Sequence, residues 1–259
     1  MSVVGIIGGS GLDDPDFLGS SCDVDLDTPY GAPSSPLRRG TLHGREVVSI
    51  SRHGRRHEIP PSQVNNRANI WALREAGCTH IVATAACGSL RDEIGRGAMV
   101  VPDQFIDFTR HRIVTFHDTF EPGVENACHC PMADPFDSDL RRVLLASGRR
   151  LALPVRDGGV ILTIEGPRFS TRAESRMFRV WGADVINMTV APEAILANEL
   201  GLAYAVIAVV TDFDSWREDE PPLRVDELLA VFRENVDHLT RLILDAVPGI
   251  VDTEGSPLP

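Results

Sequence analysis

The chain has 259 residues, 43% hydrophobic and 24% charged, which is enough for one large α/β domain without a second. A formal charge of −12 and a pI near 5.1 argue against a nucleic-acid duplex or an anionic membrane as partner, because such binding rests on Lys and Arg meeting phosphates. No run approaches the roughly 18 apolar residues of a membrane span, and the start "MSVVGIIGGSG" lacks the basic stretch and cleavage site of a signal peptide, so a cytoplasmic location is expected.

The first apolar run, "SVVGIIG", reads as a strand that ends in a glycine turn with Gly5, Gly8, Gly9 and Gly11. No register of these glycines supplies the G-x-G-x-x-G order of a dinucleotide fingerprint with an acid about 20 residues on. A turn whose backbone N–H groups and Ser10 hydroxyl face an anion, or an ordinary turn, both remain open. "EVVSIS" is a second strand, followed by Arg52, His53, Arg55, Arg56 and His57 within six positions. Such a loop is either a solvated basic patch or a set of anion donors; an arginine fork matches phosphate oxygens, and Ser10 and Thr189 would complete an oxyanion pocket. "QVNNRANIWALREAG" places Val64, Ala68, Ile70, Trp71 and Leu73 largely on one helical face and stops at Gly77.

Further along, "HIVATAA", "GAMVV", "GVILTI", "ADVINM" and "AYAVIAVV" read as strands, with helices in "TRAESRMFRVWG" and "APEAILANELG". In "IEGPRFSTRAE", Ser170 or Thr171 is the expected N-cap, with Glu174 completing a capping box. The odd, scattered set of Cys22, Cys78, Cys87, Cys128 and Cys130 argues against a disulfide framework. "CHC" at 128–130 lacks a second Cys/His pair at ligand spacing, so buried thiols are preferred to a metal site. Asp212 and Asp214, beyond an apolar strand, would share a face while Phe213 points elsewhere. They read as a helix cap or loop start, or as a general acid and a recogniser of donor N–H groups, with crowding and burial raising one pKa. The alternation of strands and helices indicates an α/β fold with a largely parallel sheet, whose ligands gather beyond the carboxyl ends of strands.

Taken in order, "GGSGL", "RHGRRHEIPPSQVNNRANIWALREAGCTHIV", "ACGSLRDEIGRGAMVVPDQFIDFT", "IEGPRFSTRAESRMFRVWGADVINMT", "PEAILANE" and "VTDFDSW" resemble the methylthioadenosine phosphorylases of the trimeric purine nucleoside phosphorylase family, from about residue 3 to 247. The resemblance implies a single-domain nucleoside phosphorylase fold over 1–247, with a central mixed β-sheet flanked by helices; the tail at 248–259, ending in "GSPLP", reads from its composition as disordered. The resemblance also implies a homotrimer and a pentosyltransferase of purine and methionine salvage. The reaction would be phosphorolysis of 5′-methylthioadenosine to adenine and 5-methylthioribose 1-phosphate, with inorganic phosphate as co-substrate and no metal or organic cofactor. Phosphate contacts would come from Ser10, Arg52, His53, the backbone around Ala85 and Ala86, and Thr189. Met188 would lie under the ribose, Phe169 and Ser170 beside the base, and Asp212 and Asp214 at the purine edge. Val225, Leu228 and Leu229 would enclose the methylthio group, with His129 lent by a neighbouring subunit. Two departures stand out: Ser10 replaces a threonine while keeping a hydroxyl, and Ala85 replaces a threonine without one.

The rival within the family is a phosphorylase of 6-oxopurine nucleosides such as methylthioinosine, inosine or guanosine. That resemblance would require Glu at Ser170 and Asn at or near Asp212, and neither is present. A nucleosidase using water is next, and the Arg52–His53 loop argues against it. A zinc-binding regulator built on "CHC" and a nicotinamide oxidoreductase are the alternatives from other classes.

Overall fold

The computed structural model describes residues 3–9, 18, 20–119, 129–218 and 225–251, with 225–234 described by their backbone alone. Among them the strands are β1 (Val3–Gly8), β2 (Cys22–Val24), β3 (Leu37–Leu42), β4 (Arg45–Ser51), β5 (Cys78–Ser89), β6 (Met99–Val101), β7 (Gln104–Phe108), β8 (Val155–Asp157), β9 (Val160–Ile164), β10 (Val185–Asn187) and β11 (Ala203–Phe213). The helices are α1 (Asn66–Glu75), α2 (Ser138–Arg150), α3 (Arg172–Val180), α4 (Val190–Glu199) and α5 (Val225–Ala246).

All the strands join one sheet. Its centre is parallel, as expected: β1 lies between β4 and β5, β5 runs beside β11, and β9 runs between β10 and β7. Elsewhere the sheet is mixed, because β2, β3 and β4 pair antiparallel at one margin, β6 runs against β11, and β10 runs against β5. The short, polar strands β2, β3, β7 and β8 carry no Val/Ile-rich run and have no counterpart among the expected strands.

Side-chain alternation splits the core into two layers. Along β11, Tyr204, Val206, Ala208 and Val210 pack on the α1 and α4 side, while Ala205, Ile207 and Val209 pack toward α2 and α5. Phe178 of α3 covers β9 and β10 through Leu162, Ile164 and Ile186. The helix ends follow local chemistry. Asn65 caps α1 by accepting the Ala68 N–H at 3.1 Å, and Thr171 forms the full capping box with Glu174 at the start of α3. Gly77, Gly182 and Gly201, where three helices were expected to stop, all have positive φ.

One irregularity positions the site. β1 last pairs with β5 at Ile7↔Ala83, and β10 joins the same edge only at Ile186↔Gly88. Residues 84–87 of β5 therefore have no strand neighbour on that edge among the described residues, while β11 remains paired on the other. At the far end, Val247–Gly249 forms a 3-10 turn and Ile250 is buried, so packed structure continues past the expected boundary at 247; residues 252–259 lie outside the described set. Among the described residues, no helix is long and apolar enough to cross a membrane.

Candidate active site

A cavity of about 250 Å³ opens over the split edge of β5. Ala85, Ala86, Cys87 and Gly88 form its floor, the residues after β4 one end, and the end of β11 the other; Asn187 at the end of β10, with Met188 and Thr189 beyond it, closes a side. Four strand ends thus converge, as open α/β sheets dispose their ligand sites.

At the first end stands Arg52, whose backbone N–H donates to the carbonyl of Gly8 at 2.9 Å. Its side chain is 1% exposed. Nε and Nη2 both donate to the carboxylate of Glu193, Nη2 to Oε2 at 2.9 Å, and Nη1 donates to the Thr84 carbonyl at 2.8 Å. The fork expected to face an anion is therefore closed on a carboxylate, and Arg52 lines the cavity from that anchored position. Gly9 packs against it: an added Cβ would lie 2.6 Å from Nη1 and 3.2 Å from the Thr84 carbonyl, so a side chain there must displace the arginine or the strand. Gly9 is thus a close-packing residue against Arg52, and Gly11 lies outside the described residues. Ser10 lies outside the described residues.

His53 shares this end. Its Nδ1 is 2.8 Å from the carbonyl of Ile59, which can only accept, so Nδ1 carries the proton. Thr189 is the N-cap of α4 but makes no side-chain capping bond, and it lines the cavity. The N–H of Ala191 in the same first turn donates to Thr163 Oγ1, whose own proton goes to Asn187 Oδ1 at 2.8 Å.

At the other end, the register of β11 shifts between Val210 and Asp212, which sets Asp212 opposite Gly88. Asp212 Oδ2 and Asp214 Cβ stand 3.4 and 3.5 Å from where a Gly88 Cβ would be, so the two carboxylates flank one glycine and both line the cavity. Thr211 donates its hydroxyl proton to Asp212 Oδ1 at 2.7 Å. Asp214 Oδ2 is buried without a hydrogen-bond partner among the described residues. Burial raises the Asp214 carboxyl above the ordinary 3.8, against the lowering pull of the Ser175 hydroxyl, the Ser215 backbone and the Ser170 hydroxyl. Of the crowding and burial expected to raise a pKa here, burial is the leading cause. Phe213 turns away, edge-on to Trp216 with ring centroids 5.9 Å apart.

Met188 packs its sulfur over Gly166 and lines the cavity, and Phe169, 40% exposed, lines it from above. Ser170 is buried behind Phe169, with its carbonyl accepting from Ser215 at 2.8 Å and its hydroxyl on the Asp214 side.

Residues 3–248 match the family model described as the phosphorylase superfamily. The chain belongs to the phosphorylase superfamily. It is 52% identical over 248 residues to S-methyl-5′-thioadenosine phosphorylase of Xenopus tropicalis, covering 95% of this chain and 88% of that one. Against the Drosophila melanogaster protein of the same name the identity is 48% over 253 residues, covering 98% and 88%. Methylthioadenosine phosphorylase from Schistosoma mansoni in complex with adenine superposes with a TM-score of 0.92 at 42% identity, covering 97% of this chain and 93% of that one. A substituted form of the Schistosoma mansoni adenosine/methylthioadenosine phosphorylase, in complex with methylthioadenosine, gives 0.90 at 41%, covering 97% and 93%.

Of the remaining site residues expected in this phosphorylase, His129 is exposed and does not line the cavity of its own subunit. The side chains of Val225, Leu228 and Leu229 lie outside the described residues, although α5 is placed there. Among the described residues, no group of three or more His, Cys, Asp or Glu side chains is set to hold a metal ion, and Cys128 lies outside them. Sequence reasoning assigned no role to Glu193, Tyr204 or Thr211. A signal for Glu193 existed: it is the one acid in the first turn of a helix that is otherwise buried almost all round.

Proposed function

We propose that the chain catalyses phosphorolysis of 5′-methylthioadenosine, releasing adenine and forming 5-methylthioribose 1-phosphate. The observation that carries this reading is a single cavity with guanidinium, imidazole and hydroxyl donors on an opened strand edge at one end and two carboxyl groups at the other. The similarity to methylthioadenosine phosphorylases, one of them crystallised with adenine, supports it.

Breaking the N-glycosidic bond puts positive charge on the sugar and negative charge on the leaving purine. Phosphate held by Ser10, Arg52, His53, Thr189 and the backbone of Ala85 and Ala86 would sit below the sugar, stabilise that charge and attack the anomeric carbon. Met188 would lie under the ribose, and Phe169 and Ser170 beside the base. Asp214, with its raised carboxyl, can give a proton to the purine nitrogen as the bond breaks, while Asp212 accepts from the 6-amino group. Inversion follows from in-line attack.

In this reading residues 1–247 form one catalytic unit, and the protein works in the cytoplasm as a homotrimer, without a nucleic-acid or membrane partner. Each neighbour lends its exposed His129 to a 5′ pocket made by Val225, Leu228 and Leu229. The test is to incubate the protein with methylthioadenosine and with methylthioinosine, with and without phosphate, and to identify the released base. Adenine release that depends strictly on phosphate is expected. Equal release in phosphate-free buffer would show hydrolysis instead, and preference for methylthioinosine would show a 6-oxopurine enzyme.

A further inference from the structure

The phosphate end of the cavity depends on a residue that does not touch it. Arg52 is gripped from four directions: Glu193 of α4 takes Nε and Nη2, the Thr84 carbonyl of β5 takes Nη1, Gly9 packs on Nη1, and the Gly8 carbonyl holds its backbone. Glu193 is itself 1% exposed and is fixed by a second donor, the Tyr204 hydroxyl, 2.8 Å from Oε2. A carboxylate among the buried residues of α4 is too costly to bury without specific partners, and here a bidentate guanidinium and a phenol meet it. Its geometry orients a planar group whose position decides hydrogen-bond alignment.

We infer that Glu193, steadied by Tyr204, is a positioning residue for phosphate: it fixes the plane of the Arg52 guanidinium at the cavity wall and cancels its charge. The nucleophile is then held by oriented N–H groups instead of by a net cation. A lone buried cation would grip a phosphate dianion strongly and draw on the charge that the developing oxocarbenium needs. A neutral, oriented pair leaves that charge in place. Tyr204 serves the same grip from β11, and burial together with the Glu193 charge pushes its phenol well above the ordinary value.

The inference rests on the phosphorylase reading, so the experiment separates the two. Binding of inorganic phosphate is measured by calorimetry, independently of turnover, and the KM values for phosphate and nucleoside are measured separately. Glu193→Gln strips a buried guanidinium of its counter-charge, so Glu193→Asp, which keeps the charge and retracts the carboxylate by one methylene, is made beside it, together with Tyr204→Phe. In Glu193→Asp the KM for phosphate should rise about tenfold, as when a charge-assisted hydrogen bond falls out of line, while the nucleoside KM moves less than about twofold. Tyr204→Phe should shift the phosphate KM in the same direction by about threefold, on the scale of one neutral hydrogen bond. If folded Glu193→Asp binds phosphate like wild type, or both KM values rise together, the positioning role is wrong although the phosphorylase reading stands. If wild type binds no phosphate, both fall.

Discussion

Replacing Asp214 by Asn should move activity and stability in opposite directions. The wild-type carboxyl is buried, one oxygen lacks a partner among the described residues, and burial holds its pKa above 3.8. A native state that binds this proton more tightly than the unfolded chain loses stability as pH climbs from the unfolded pKa to the raised folded one, and stays at the lower level above it. Asparagine carries no such proton, so the melting temperature of Asp214→Asn relative to wild type should rise through that window and then level off. Activity should fall, because the amide keeps the shape but supplies no acid. A hydrogen bond to a charged or protonating group is worth roughly 1.5–3 kcal/mol, so kcat/KM for methylthioadenosine should drop by about 10- to 150-fold. Scanning calorimetry from about pH 4 to pH 8, with steady-state kinetics on the same samples, tests both arms. A melting-temperature difference that is flat or shrinks as pH rises would refute the claim that desolvation controls this carboxyl, and undiminished activity would remove it from the chemistry.

Asp212→Asn offers a donor where the wild type accepts. It should lower kcat/KM for methylthioadenosine and raise the relative preference for methylthioinosine, out of a discrimination that sites of this kind set at about 10⁴; an unchanged ratio would show that Asp212 does not read position 6. Gly9→Ala drives a Cβ to 2.6 Å from Arg52 Nη1, and the phosphate KM should rise about tenfold with little change for nucleoside. Thr171→Ala breaks the capping box of α3 and should cost about 1 kcal/mol, seen as a fall of roughly 2–4 °C in melting temperature. Among the described cysteines, exposed Cys22 should alkylate in the native protein, whereas buried Cys78, pushed up to about 12, and Cys87, raised well above the ordinary value by burial and the Asp212 charge, should react only after unfolding, as mass spectrometry would show.

The elements legible in the sequence are those buried on both faces. Runs such as those of β1, β5 and β11 are nearly continuous Val, Ile and Ala, because helices cover both sides of the sheet there. "LRRGTL" of β3 hides its strand character behind Arg38 and Arg39, which sit half-buried near a sheet margin. The site was legible where polar residues stand at or just past the end of an apolar strand, as with Arg52, Thr189 and Asp212. What joins them was not. The split edge of β5 arises from where β1 stops and from β10 arriving antiparallel, which no local pattern encodes. The closure of the Arg52 fork on Glu193 spans 141 positions, whereas the burial that raises the Asp214 carboxyl was among the causes the sequence suggested.

The open edge at residues 84–87 also bears on how such a protein can change over generations. Ala85 and Ala86 bring main chain to the cavity, and main chain survives almost any substitution of small residues. The opposite end is made of two replaceable side chains, Asp212 and Asp214. Drift at the floor can be absorbed while the strand keeps its course, whereas one codon change at the far end alters what is accepted. On the proposed reading, new base preferences can therefore be selected, or engineered, by rewriting the tip of β11 without rebuilding the half of the cavity assigned to the anion.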